Sequence, residues 1–267
     1  MINWLGEIEL GITGSPVSMG VRKLGNRPWL FIDNHTKEEL TLKAKLSEDP
    51  KSEVFLSQPG ARQASECVLS LIEQTGINLI HLKNLHPLER AGLSVQEDLC
   101  LVQRSSKGWI LEAASLSFPS LWKLSEKIGK NMAAVHGPVD DYPEFLEKKV
   151  EGFFDRLGHD PVWRRNWFIH SDDTLHQPDR PKEGDQIIAS DSIGEDLFVR
   201  SERQTLRALQ LPGWILFTIR VQQTHLQDLI DERREDFTNW ILNAPESFHR
   251  HKALRREQVS EILKALG

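Results

Sequence analysis

The chain has 267 residues, 39% of them hydrophobic and 27% charged, with a net charge of −6. At roughly 100–200 residues per domain this is one large domain or two small ones, and the acidic balance argues against nucleic acid as a partner. Two cysteines, Cys67 and Cys100, exclude a disulfide-rich scaffold and a four-cysteine zinc or iron–sulfur site within one chain. No apolar run approaches the roughly 18 residues of a membrane span, so no membrane contact is expected. The start, Met1-Ile2-Asn3-Trp4, lacks a basic, then apolar, leader pattern, and the expected compartment is the cytoplasm. There each cysteine reads as a small buried hydrophobe rather than a nucleophile.

Gly11, Gly14, Pro16 and Gly20 mark an irregular start. Asp33 to Thr36 offers N-caps for a helix over 37–46, with Glu38 and Glu39 in its first turn. Ala64, Val68, Leu71 and Ile72 form one helical stripe closed by Gly76. Leu99 to Gln103 and Trp109 to Ala114, either side of a Ser-Ser-Lys-Gly turn, read as a hairpin. Leu121, Leu124 and Ile128 predict a short helix ending at Gly129. Leu146, Val150, Phe153, Phe154 and Leu157 predict a longer one that starts near Pro143 and ends at Gly158. Pro161 to His170 alternates, with Trp163, Arg165, Trp167 and Ile169 on one face and Val162, Arg164, Asn166 and Phe168 on the other. A long loop over 177–195 follows. Phe198 to Leu209 reads as extended at first and helical from Thr205. Trp214 to Gln222 is a strand with Ile215, Phe217, Ile219 and Val221 on one face and Arg220 on the other. The C-terminal stripe, Leu226 to Ile241, predicts a helix broken at Pro245. The order is α+β with hairpin-type connections, not alternating βα units.

Phosphate-loop, kinase, zincin and nucleophile-elbow motifs are absent. His136, in an apolar stretch and followed by Gly-Pro, suits either a haem ligand or a core histidine bonded to backbone. His170, Asp172 and His225 have the residue types of a two-histidine, one-carboxylate iron site, although Ser171 to Thr174 also reads as a simple turn. Arg200 to Thr205, and Arg164, Arg165 and Asn166, put charges inside apolar strands, where each must be paired or face a polar ligand. A guanidinium there clamps a carboxylate such as a haem propionate, or forms a structural pair, for example Arg164 with Glu202. His249-Arg250-His251 reads as a solvated face.

Taken together, several of these segments resemble the haem-dependent oxidative N-demethylase alpha-subunit-like family. They are Met19-Gly20-Val21-Arg22 with Trp29 and Asp33, Glu97-Asp98-Leu99-Cys100, and Phe118-Pro119-Ser120 with Trp122. His136 with Pro138-Val139, Pro161-Val162 with Arg164, Asn166 and Trp167, Arg200 to Leu206, and Phe217 to Arg220 complete the ordered set. Leu175-His176-Gln177-Pro178 departs from the family's usual Leu-Phe-x-Pro there, which puts the substrate in question more than the fold.

The resemblance implies a PAS-like antiparallel sheet over 96–225, between a mainly helical N-terminal extension, 1–95, and a C-terminal helical extension, 226–267. It implies haem b, with His136 as the iron ligand and Arg200, Arg220 and Trp167 at the cofactor. Glu202, Arg164 and Asn166 would be the catalytic groups of a monooxygenase that uses dioxygen to demethylate a small secondary amine. Electrons would come from NADPH through flavin and 2Fe-2S groups on partner reductase subunits. A non-catalytic haem sensor or carrier is the alternative, and a non-haem iron oxygenase built on His170, Asp172 and His225 is a third.

Overall fold

The computed structural model describes residues 3–11, 20–136, 144–179 and 187–267; the side chains of Ala133, His136 and residues 144–148 lie outside the description. Its centre is a seven-stranded sheet in which every neighbouring pair is antiparallel. The strands are β1 (Arg22–Lys23), β2 (Phe55–Ser57), β3 (Asp98–Ser105), β4 (Gly108–Ser115), β5 (Val162–His170), β6 (Phe198–Ala208) and β7 (Trp214–His225). They lie in the order β1-β5-β6-β7-β3-β4-β2. The fold is therefore α+β. The two short edge strands both come from the first 95 residues and close the flanks of the same sheet.

Alternation along the strands gives the sheet two buried faces. On the first face, Trp167, Ile169 and Val199 pack against α7 (Leu226–Asn243), α8 (Glu246–His251) and α9 (Arg256–Leu266), through Leu229, Phe237, Trp240 and Ile262. Farther across it, Leu99, Leu101, Ala113 and Leu216 pack against α2 (Arg62–Glu73) and α3 (Pro87–Gly92). The predicted stripe is the reason: Ala64, Val68 and Ile72 are fully buried, and a valine or isoleucine so placed contributes about 1.5–3 kcal/mol. On the second face, Cys100, Val102, Ile215, Ile219 and Val221 pack with Phe118 and Leu124, with Met132 and Val135 of α4 (Met132–His136), and with Val150, Phe154 and Leu157 of α5 (Glu144–Arg156) and its end. The N-cap region at 33–36 leads into α1 (Thr36–Glu48) as expected.

Three local expectations fail for tertiary reasons. The helix expected at 121–129 is a single 3-10 turn, Leu124–Glu126. Leu121 has φ +65° and its N–H bonds to Gln177 at 2.7 Å, while Gly129 at φ +75° donates to Leu111 at 2.8 Å, so both ends are pulled out of helical geometry. The helical tail expected from Thr205 is strand throughout, because β6 is paired on both sides along its length. His249, expected on a solvated face, is buried edge-on against Trp240 at 5.2 Å. Among the described residues no helix is long and apolar enough to cross a membrane.

Candidate functional site

Strand register divides the residues singled out from the sequence between the two faces. Residues directly opposite one another in a sheet point the same way. Arg165, Arg203 and Arg220 are opposite across β5, β6 and β7, as are Trp167 and Ser201. Arg164 is opposite Gln204, and Asn166 opposite Glu202, one residue out of phase. Arg164, Asn166, Arg200 and Glu202 therefore share the second face, whereas Arg220 and Trp167 lie on the first.

The first-face charges hold the amino-terminal segment against the sheet. Arg220 pairs with Asp33 at 2.9 Å and Glu39 at 2.8 Å, and Gln96 donates to both carboxylates. Burial pulls on its proton, but Glu39, Glu97 and Asp33 more than offset this and raise its affinity. Arg165 pairs with Glu7 at 2.7 Å and donates to Ser201 and Gln222. Arg203, between them, donates to the Pro28 carbonyl at 2.8 Å and lies 4.5 Å from the Phe31 ring. Trp167 packs against Trp240 at 5.0 Å and donates to the Glu9 carbonyl. On the second face, where Asp98 stands opposite Ile219, a fully buried Lys43–Asp98 pair at 3.1 Å ties α1 to the start of β3. Asp98 also accepts from the N–H groups of Ser117 and Phe118.

Arg200 is on the second face but is consumed by the fold. Its Nε donates to Ser120, its Nη1 to Thr174 O and Gln223, and its Nη2 to Phe118 O, Pro119 O and Leu175 O, at 2.9–3.3 Å. All three nitrogens are used to clamp the 118–120 loop to the 174–175 loop. Its charge is displaced downward to a pKa of about 10 by burial. This saturation leaves no donor for the cofactor contact expected of it.

What remains on the second face is a polar ladder. Glu202 is buried, and its Oε2 accepts from Gln204 at 2.8 Å. Its Oε1 accepts nothing among the described residues. Asn166 is half-buried, and its Oδ1 accepts from Lys252 Nζ at 3.2 Å. Lys252 also lies 4.8 Å from the Trp167 ring centre and accepts the Ile169 N–H at its carbonyl, so it crosses the edge of β5. Burial, then Arg164, pull its pKa down to about 7, against Glu9 and Glu202. Arg164 is half-buried, and among the described residues it makes no ion pair and its Nε is buried without a hydrogen-bond partner. The Arg164–Glu202 pair considered above does not form. Ile219 and Val221, opposite Gln204 and Glu202 on β7, give the ladder an apolar flank.

His136 ends α4, whose Met132 and Val135 pack on this same second face; the histidine's side chain, and the Gly137-Pro138 after it, lie outside the described residues. The apolar Met132, Val135, Ile219 and Val221 belong to one cluster on this face, and a histidine with an apolar surround is the residue chemistry that a haem requires. The iron triad is not assembled. Phe198 stands between His170 and His225 in register, His225 bonds to Glu195 O at 2.8 Å, and among the described residues no three His, Cys, Asp or Glu side chains are grouped to hold a metal. His170 Nε2 is buried without a partner, and burial, then Arg200, hold its pKa down at about 4. Cys100 is buried and its thiol is pushed well up by that burial, which fits the hydrophobe expected of it.

Sequence reasoning missed two members of the ladder. Gln204 was within reach, being two residues from Glu202 on a strand. Lys252 follows α8 and has no local signal at all. No curated protein matches the chain. Residues 67–260 match the family described as haem-dependent oxidative N-demethylase, alpha subunit-like. The match spans both sheet faces, α4 and the ladder, and the chain belongs to that family.

Proposed function

We propose that this chain is the haem-bearing component of a cytoplasmic oxidative N-demethylase, a monooxygenase that acts on a small secondary amine. In this reading the core is PAS-like, the haem is haem b, and His136 would hold its iron. Bound haem supplies the activation of dioxygen. Electrons come from a partner reductase carrying flavin and 2Fe-2S groups, because the two cysteines here cannot supply a four-cysteine cluster.

The observation that carries the reading is the carboxylate at Glu202, buried on the same face as the helix that ends at His136. Gln204 fixes Oε2 and leaves Oε1 to accept an N–H from a substrate ammonium by a charge-assisted bond. Asn166, oriented by Lys252, offers its amide beside that oxygen. Ile219 and Val221 exclude water from one flank and strengthen the attraction. Arg164 supplies a positive charge at the far end of the ladder.

The decisive measurement is the ultraviolet–visible spectrum of the protein reconstituted with haem, before and after dithionite and carbon monoxide. A Soret band that shifts with reduction and carbon monoxide is expected; no Soret absorbance overturns the haem reading. His136→Ala is expected to abolish or shift the ferrous spectrum, and an unchanged spectrum removes His136 as the ligand. Amine-dependent formaldehyde release with a supplied electron donor separates an enzyme from a carrier.

A further inference from the structure

We infer that this site takes an amine that also carries a carboxylate, an N-alkylated amino acid, in preference to a simple dialkylamine. The inference rests on the amine-binding reading of Glu202 and names its substrate class. Among the described residues the half-buried Arg164 guanidinium meets no ion pair and its Nε is buried without a partner, so its hydrogen-bonding capacity is unspent. Arg203 Nη1, Arg207 Nε and Arg220 Nε are also buried without a partner, but Arg203 meets a carbonyl, Arg220 meets carboxylates and Arg207 lies 5.7 Å from the Trp29 ring, whereas no side-chain hydrogen bond reaches Arg164 among the described residues.

Its position says what would satisfy it. Arg164 is opposite Gln204 and Glu202 is opposite Asn166, so the two charges are diagonal neighbours on adjacent strands. Diagonal neighbours stand roughly 7–8 Å apart, with less between their Cβ atoms. The two side chains do not meet, yet an ammonium and a carboxylate joined through one carbon would touch both at once. The guanidinium fork suits the carboxylate and the free Oε1 of Glu202 suits the ammonium.

Such a ligand meets both charges at once. A dialkylammonium neutralises Glu202 and leaves Arg164 as it was. The other charges nearby do not change this. Glu9 is engaged by Arg22, and the Lys252 amine is engaged by Asn166 and the Trp167 ring.

Isothermal titration of the haem-loaded full chain with N,N-dimethylglycine, dimethylamine and propionate tests this. The expected result is that dimethylglycine binds at least tenfold more tightly than either of the others. Arg164→Met should erase that preference, Arg164→Lys should restore part of it, and Glu202→Gln should weaken both amines. Equal binding of the two amines to the unaltered protein overturns the inference and leaves the demethylase reading standing. So does Arg164→Met that keeps the preference but loses haem, which would assign Arg164 to a propionate. If neither amine binds in a Glu202-dependent way, the amine site itself is overturned.

Discussion

The two faces of one sheet differ in how far they spend their buried charges. On the first face, Arg165 and Arg220 meet carboxylates contributed by the amino-terminal segment, and Arg203 meets a carbonyl and an aromatic ring. These cations are fasteners; each shares its desolvation cost with a partner it holds in place. On the second face, Arg200 is equally consumed, by loop carbonyls, but no side-chain hydrogen bond reaches Arg164 among the described residues. Residue type and burial alone do not separate these roles. Whether the hydrogen-bonding capacity is spent inside the fold does, and only unspent capacity is free for a ligand.

That contrast can be broken by experiment. Asp98→Ala should be the most damaging change, because it strands the buried Lys43 charge and the Ser117 and Phe118 N–H groups; a loss of about 3–5 kcal/mol is expected in urea unfolding. Arg200→Met should cost about 2–4 kcal/mol by leaving loop carbonyls unpaired, and should expose the 118–120 and 174–175 loops to proteolysis.

Next in size is the pH dependence. His170, held down at about 4, binds its proton in the unfolded chain first, so its contribution is present above about pH 6.5 and is lost as pH falls toward 4. Glu97 is the reverse case. Burial, opposed by Arg220, the Phe31 N–H and Lys43, raises its pKa to about 7, so its contribution is present below about pH 4.5 and is lost as pH rises toward 7. Urea midpoints across pH 4–7.5 should show His170→Asn flattening the acid limb and Glu97→Gln the neutral one; an unchanged profile in either variant rejects that assignment.

The smallest effect is expected at Arg164. Arg164→Met should change stability by less than about 1 kcal/mol, because among the described residues it breaks no side-chain bond and it removes an orphaned donor. A loss comparable to that of Arg200→Met would mean that Arg164 is another fastener, and the distinction between the faces would collapse.

Much of this was legible in the residues. Alternation within β5 and β7 assigned Arg164 and Asn166 to one side and Trp167 to the other, and the stripe of α2 predicted its buried edge, because both depend only on local backbone period. The turn at Leu124–Glu126, the buried His249 and the extended tail of β6 were not legible, because partners distant in sequence override local preference there. Lys252 could not be found at all from its neighbours; its amine reaches Asn166 across 86 positions of the chain.

By itself, the sequence determined the α+β class, the family, most of the elements and the kinds of group available to a site. Each of those follows from short-range periodicity or from an ordered set of motifs. Only the tertiary structure decided which of those groups are spent. The pairing register placed Arg220 and Trp167 on the opposite face from Glu202, and loop carbonyls saturated Arg200. Strand register and hydrogen-bond partnership are long-range quantities, and a guanidinium has the same formula whether its donors are taken or free.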